Sequence, residues 1–339
     1  MHPLNKKKIA QIALVIAVVL LVGSALFTKA ATRKRVVKKP TAVPAVSAPA
    51  PVIDYTRPFA VMIDNHPGAR PQSGIAKADA VWEALVEGGL TRNMAVFRSA
   101  SATEIGPVRS ARPYFLDWAR EADAVYSHVG GSDEALSDLA SNVIGLDDAN
   151  EFSNGKAYTR DSRRDAPHNT YTSSERMRSL IVSKKWRAET DAYDPSPRTT
   201  ASATGAPATH VLVTYLENGE QAEFRWDTDA SAYALWRNGR QMRDRDGTPI
   251  LPKTVVALEM NIVPITDPQA KGLIGIKNTG SGKAIVFRSG VAITGTWKKA
   301  SAPDPTSITG TDGQKIPFSQ GQVWYAVIAP NRGGNVTFK

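Results

Sequence analysis

Two of the five histidines of this 339-residue chain, two closely spaced arginines and several carboxylates stand where short apolar runs give way to polar residues, and a third histidine lies in a Gly/Asn/Arg-rich segment that could fold over them. Asp64-Asn65-His66 follows the run Phe59–Ile63. Arg109 and Arg112 precede a helical pattern, and His128 precedes Gly130-Gly131-Ser132. A fourth polar cluster is Arg163-Arg164-Asp165-Ala166-Pro167-His168-Asn169. With Arg70, Glu83, Glu87 and Arg92 these residues offer an acid, a base and a cationic clamp. A histidine beside a carboxylate is the usual apparatus of general base catalysis, and an arginine can stabilise developing negative charge. Two arginines at a helix N-terminus combine forked donors, free backbone N–H groups and the positive end of the helix dipole, which suits a carboxylate or phosphate.

Other chemistries are disfavoured. The chain has no cysteine, no Gly-x-Ser-x-Gly and no His-Glu-x-x-His, so the common nucleophile and zinc motifs are missing. Asp64, His66, His128 and His168 are too dispersed in sequence to read as a metal set, and no cofactor fingerprint stands out; neither metal nor cofactor is expected. Each residue also has a structural use. Asp64 can form a turn, Arg109 and Arg112 can pair with Glu104, Asp117 or Glu121, and Gly130-Gly131 can supply positive φ. Their shared position at strand ends favours a site.

The elements that would place them alternate. Strand signals at Phe59–Ile63, Met94–Phe97 and Ala124–Tyr126 are separated by helical patterns over Lys77–Val86, Ser110–Ala122 and Ser132–Ala140. The first helix would bury Ala80, Val81, Ala84 and Leu85, and the second Phe115, Trp118, Ala119 and Ala122. Ser132 would cap the third. This order predicts an α/β fold, a mainly parallel sheet with covering helices, whose carboxyl strand ends form a ligand crevice. A second, β-rich domain is expected to follow. Its strands read at His210–Tyr215, Glu223–Trp226, Tyr233–Trp236, Val255–Met260, Ala284–Arg288, Val291–Thr296 and Val323–Ile328, with turn signals such as Asn238-Gly239 and Ser289-Gly290.

Charge excludes one class of partner. The net charge is +10, but residues 1–53 hold nine of the 42 bases and no acid, leaving 33 bases against all 32 acids in the remainder. A nearly neutral body lacks the electrostatic footprint of nucleic-acid binding. Ile9 to Phe27 is uncharged over 19 residues and preceded by lysines, which predicts a signal anchor across the membrane or a signal peptide cut near Ser24 or Ala30. The basic run after the span, taken literally, favours a cytoplasmic body; contact with anionic headgroups is the alternative. The organisation expected is therefore an anchor at 1–30, a basic and Pro/Ala-rich spacer at 31–53, an α/β domain at 54–190, a linker at 191–208 and the β-rich domain at 209–339.

The strings DNHPGARPQSG (Asp64–Gly74), EALVEGGLTR (Glu83–Arg92), IGPVRSARPYFLD (Ile105–Asp117), HVGGS (His128–Ser132) and APHNTYTS (Ala166–Ser173) resemble the YerB-like family of bacterial extracytoplasmic lipoproteins. The likeness continues more weakly around Asn261-Ile262-Val263 and Gly295-Thr296-Trp297. It implies a domain of unknown function with N- and C-terminal parts and an exported body, and brings no activity with it. The chain departs from the family in lacking the lipid-bearing cysteine, a role the span from Ile9 to Phe27 would take.

Three functional classes follow. The first is binding of an anionic cell-envelope ligand by Arg109 and Arg112, with Asp64, Asn65, His66, Arg70, Glu83, Glu87, Arg92, His128, His168 and Asn169 as the other candidates. The second is an envelope hydrolase or transferase with a histidine base. The third is a structural or assembly protein that contacts a protein partner of unspecified kind through Trp297, Trp324 and Tyr325.

Overall fold

Strand β1 (Phe59–Asp64) is buried at every position, so the sheet containing it is covered on both faces. The computed structural model describes residues 56–190, 196–265 and 272–339. The span Ile9–Phe27, the Pro/Ala-rich spacer and the first residues of the 191–208 linker lie outside them. Among the described residues no helix is long and apolar enough to cross a membrane.

After β1 come β2 (Ala80–Leu85), β3 (Thr91–Phe97), α1 (Pro113–Glu121), β4 (Val125–His128), α2 (Asp133–Ala140), β5 (Asp148–Asn150) and α3 (Ser174–Ser183). The later part supplies β6 (His210–Thr214), β7 (Gln221–Asp227), β8 (Ala232–Arg237), β9 (Thr254–Glu259), β10 (Gly280–Arg288), β11 (Val291–Lys299), β12 (Ser307–Gly310), β13 (Val323–Ile328) and β14 (Asn335–Phe338). One eleven-stranded sheet draws on both parts, in the order β12-β11-β10-β9-β13-β2-β3-β1-β4-β5, with Ala206–Pro207 paired to β11. A five-stranded antiparallel sheet runs Arg240–Gln241, β8, β7, β6, β14.

The α/β expectation of a mainly parallel sheet with covering helices, followed by a second, β-rich domain, is thereby corrected. The large sheet is mixed: β1–β4, β4–β5, β9–β13 and β2–β13 are parallel, whereas β1–β3, β2–β3, β9–β10, β10–β11 and β11–β12 are antiparallel. The described residues form many strands and three α-helices.

The helix expected over Lys77–Val86 is strand β2. Its apolar spacing imitates a helical face, but Val81 and Leu85 enter one core while Trp82 and Ala84 enter the other. A short run buried on both sides suits a central strand and not a one-faced helix. Gly88 and Gly89, at φ of 71° and 72°, then turn the chain back into β3.

The two faces of the large sheet pack differently. On one, Val61, Val81, Phe97 and Trp324 meet Val211, Tyr215, Phe224 and Leu235 of the smaller sheet, with Met177 and Ile181 of α3 completing the core. On the other, α1 buries Tyr114, Phe115 and Trp118, and α2 buries Ala135 and Leu139. Trp82 stacks on Tyr325 at 4.1 Å and on Trp118 at 4.8 Å, joining β2, β13 and α1. Trp297, Trp324 and Tyr325, read as interface candidates, are buried in the core.

Pro113 opens α1, where its missing N–H costs no internal hydrogen bond. Ser132 caps α2 by accepting the Ala135 N–H. Phe115 is fully buried against the sheet, so Phe115→Ala is expected to cost about 3–5 kcal/mol in urea unfolding. Val182→Ala, at a position 75% exposed on α3, should stay within about 0.5 kcal/mol of the parent.

Candidate functional site

Side-chain alternation divides the candidate residues between the two cores. Along β1, Ala60 and Met62 face the helices, and Asp64 continues that row. Arg92 is the register partner of Asp64 on β3. Tyr126 and His128 occupy the helix-facing row of β4. Glu83 lies between Val81 and Leu85, so it faces the smaller sheet instead.

The helix-side site begins where β1 and β4 separate. Their pairing ends at Val61 and Ser127. Residues 107–111 then enter between the strand ends: Asp64 N–H donates to the Pro107 carbonyl, Arg109 N–H to Met62, and Val129 N–H to Arg109, at 2.9–3.0 Å. Arg109 thus arrives on a returning segment, not directly from a strand end.

Asp64, only 6% exposed in its side chain, gathers groups from three segments. Its Oδ1 accepts the His66 backbone N–H at 2.9 Å. Its Oδ2 lies 2.7 Å from His168 Nδ1 and 3.0 Å from Arg109 Nε. The Arg109 contact is an ion pair without aligned hydrogen-bond geometry. The His66 and His168 rings stack with centroids 5.0 Å apart and planes 13° apart. His168 comes from the 161–169 segment, which Arg164 fastens over the 66–72 loop by donating to the Ala69 and Pro71 carbonyls.

Behind this group lies a second ionic cluster. Arg112 forks onto Glu87, with Nε at 3.0 Å, and also donates to the Ala111 carbonyl. Arg92 reaches Glu87 at 3.5 Å and donates to the Ser110 carbonyl. Burial works to raise the Glu87 carboxyl, but Arg112 and Arg92 outweigh it and hold it below its usual range. Burial, then the charge of Arg112, lowers the Arg92 guanidinium from its ordinary value; Arg109 adds to that effect. The Tyr126 hydroxyl is buried within reach of the Arg92 and Arg112 charges and makes no hydrogen bond among the described residues. Burial pushes its pKa far up.

His128 is separately satisfied. Its Nδ1 meets the Gly130 carbonyl at 2.6 Å and its Nε2 meets Asp148 at 2.7 Å. Asn169 is also apart, its amide oxygen accepting from exposed Arg160 at 3.3 Å.

The remaining candidates form a brace between the sheets. Glu83 is completely buried and accepts from Arg237, Tyr215, Thr91 at 2.6 Å, Asn65 at 3.0 Å and Trp324 at 3.2 Å. Arg70 links the Asn65 amide oxygen at 3.2 Å to Glu220 at 3.1 Å. Burial works to lower the Arg237 pKa, and the Glu83 charge reverses the direction. With every strong acceptor partnered, Glu83, Asn65 and Arg70 serve the fold.

Structure therefore brings Asp64, His66, Arg109 and His168 together, with Glu87, Arg92 and Arg112 adjoining. It separates Glu83, Asn65 and Arg70 on one side and His128 and Asn169 on another. Tyr126 and Asp148 were not singled out in the sequence. Tyr126 sits in an apolar strand run, and nothing local marks Asp148 as the partner of His128, 20 residues earlier.

A cavity of about 420 Å³ lies elsewhere, lined by Ser73, Lys77, Glu104, Asp244 and Arg245 among others. Asp244 accepts the Ile75 and Ala76 backbone N–H groups at 3.2 and 2.9 Å. Burial raises its pKa to about 6, against the lowering effect of those N–H groups.

Residues 45–187 match the family described as "Protein of unknown function (DUF3048) N-terminal domain", and residues 211–325 match the corresponding C-terminal domain. A Bacillus subtilis (strain 168) protein named "Putative lipoprotein YerB" is 30% identical over 275 residues, covering 80% of this chain and 81% of the relative. The crystal structure of the YerB protein from Bacillus subtilis superposes with a TM-score of 0.74 at 30% identity, covering 84% of this chain and 94% of that one.

Removing one partner of the buried brace strands a charge. Arg237→Met should lower unfolding stability by about 3–5 kcal/mol, while adding Glu83→Leu should bring the loss below the sum of the two single variants. Asp244 gives a pH signature. Its folded pKa lies above its unfolded value, so the native state binds the extra proton and stability falls as pH rises from about 4 to about 6. The decline amounts to about 3 kcal/mol. Asp244→Asn should flatten that part of the pH–stability curve.

Proposed function

This chain belongs to that two-part family of unknown function, and on that premise we propose that it is a membrane-attached, extracytoplasmic protein whose helix-side crevice binds an anionic cell-envelope ligand. The lipoprotein name of its relative supports attachment outside the cytoplasm. The apolar stretch Ile9 to Phe27 supplies the anchor in a chain without cysteine.

Charge balance at the crevice carries the ligand class. Arg92, Arg109 and Arg112 share two carboxylates, Glu87 and Asp64. Arg92, Arg112 and Asp64 are 5%, 8% and 6% exposed in their side chains and Glu87 is 33% exposed, so the cationic excess is mostly shielded from water and costly unless an anion completes it. Arg109 meets Asp64 through Nε at 3.0 Å, and neither Nη has a hydrogen-bond partner among the described residues. Its side chain is 24% exposed, so these forked donors are open to a carboxylate or phosphate. Arg112 and Arg92 supply supporting field from behind, since Glu87 already occupies the Arg112 fork. Tyr126 provides an additional unspent hydroxyl within the same charged region.

Calorimetric titration of the detergent-solubilised full chain with inorganic phosphate, and with an anionic wall polymer, tests this reading. Saturable binding that weakens with salt is expected. Arg109→Gln, which keeps much of the stem but removes the charge, should weaken binding about 10- to 100-fold. Equal affinity in the variant, or no binding to either probe, would defeat the proposal.

A further inference from the structure

The two stacked imidazoles are hydrogen-bonded in opposite senses at Nδ1. Asp64 Oδ2, 2.7 Å from His168 Nδ1, accepts as a carboxylate oxygen; the proton is therefore on Nδ1, and in the neutral ring the lone pair is on Nε2. His66 is the reverse. Its Nδ1 accepts the Gly68 backbone N–H at 3.0 Å, which places its ring proton on Nε2. Neither Nε2 has a hydrogen-bond partner among the described residues. His66 is exposed and His168 is partly so. One ring thus offers a base and its neighbour a neutral donor, while Arg109 lies on the same Asp64 oxygen as His168.

A merely structural use for this arrangement is weakly supported. The 161–169 segment is already fastened to the 66–72 loop by two hydrogen bonds from Arg164. A third tether explains neither the complementary tautomers nor the open Nε2 atoms.

We propose that Asp64, His66 and His168 form a water-activating centre that hydrolyses a phosphodiester held by Arg109. The inference rests on the anion-binding reading and gives it a substrate class. A phosphodiester carries both the charge that the guanidinium fits and a bond that activated water can cleave. His168 Nε2 takes a proton from water as the water oxygen bonds to phosphorus. The phosphorus–oxygen bond to one alcohol then breaks, and that alkoxide receives the proton from the His168 imidazolium. A phosphomonoester and an alcohol are released, with no other reactant consumed. The His66 Nε2–H and the Arg109 Nη groups donate to the non-bridging oxygens as charge builds there. Asp64 is a positioning residue that fixes the His168 tautomer and ring orientation.

The test uses the full chain in detergent with bis(4-nitrophenyl) phosphate, together with phosphate binding by calorimetry. Nitrophenolate release above the buffer rate is expected. His168→Asn can still donate an amide N–H toward Asp64 but lacks the base, and it should reduce turnover at least about 100-fold. Nitrogen-15 spectra should show His168 protonated at Nδ1 and His66 at Nε2, and Asp64→Asn should shift the His168 pattern as turnover falls. Phosphate binding without turnover, or full activity in folded His168→Asn, overturns the catalytic inference alone. Should His168→Asn unfold, the wild-type spectra decide: His168 protonated at Nε2 overturns the inference as well. Absence of phosphate binding overturns the reading beneath it.

Discussion

A central strand buried on both faces has to divide its side chains between two cores, and this constraint governs the molecule. β2 lies between β3 and β13, so Trp82 and Ala84 enter the helix-side core while Val81, Glu83 and Leu85 enter the space between the sheets. A carboxylate in that second core requires donors close at hand. Arg237, Tyr215, Asn65, Thr91 and Trp324 supply them from β8, the end of β6, the loop after β1, the start of β3, and β13. The Glu83 brace thereby ties the smaller sheet to the larger one. Its partners come from both matched parts of the chain, and those parts also meet directly in the β2–β13 pairing.

The helix-facing row uses the opposite parity for a different purpose. Asp64 and Arg92 stand opposite each other beyond the point where β1 and β4 have parted, and the 107–111 segment fills the opening. This insertion delivers Arg109 beside Asp64, while the 161–169 segment delivers His168 from outside the sheet. Both Glu83 and Asp64 gather several donors, but their environments differ. Glu83 is sealed between sheets, so its contacts stabilise the fold. Asp64 lies beneath histidines that reach solvent, leaving spare donor and acceptor atoms for a visitor.

Short-range sequence features made part of this legible. Ser132 announced the start of α2, and Asn238-Gly239 announced a tight turn, with φ of 48° and 72°. The local clusters around Asp64, Arg109 and His168 also pointed toward polar chemistry. Long-range pairing was much less visible. Nothing near Ala80–Leu85 records that β13 will lie beside it, more than 230 residues later, and the same spacing of Ala80, Val81, Ala84 and Leu85 would suit a helix. The Gly88-Gly89 turn was the local sign against that reading. Likewise, Glu83 cannot disclose from sequence that Arg237 occupies its buried side, so a structural brace resembled a candidate site residue. His128 looked equivalent to His66 because each follows an apolar strand run; only the fold directs it toward Asp148.

The near-neutral body sharpens the meaning of the arginine-rich crevice. Nine bases before residue 54 account for most of the net charge, so the whole body does not produce a broad positive field. Exposed charges farther apart than about 8 Å are largely screened at physiological salt. The excess around Arg92, Arg109 and Arg112 therefore acts chiefly at contact distance, where low exposure limits screening. The proposed anion site would therefore select a ligand after arrival more than draw one from afar. The basic segment beside the proposed anchor has a different reach: it can meet anionic headgroups independently of what the crevice binds. In the proposed reading attachment and ligand selection are thus physically separable, one encoded by the charged end of the chain and the other by a partly exposed Arg109 with Arg92 and Arg112 buried behind it.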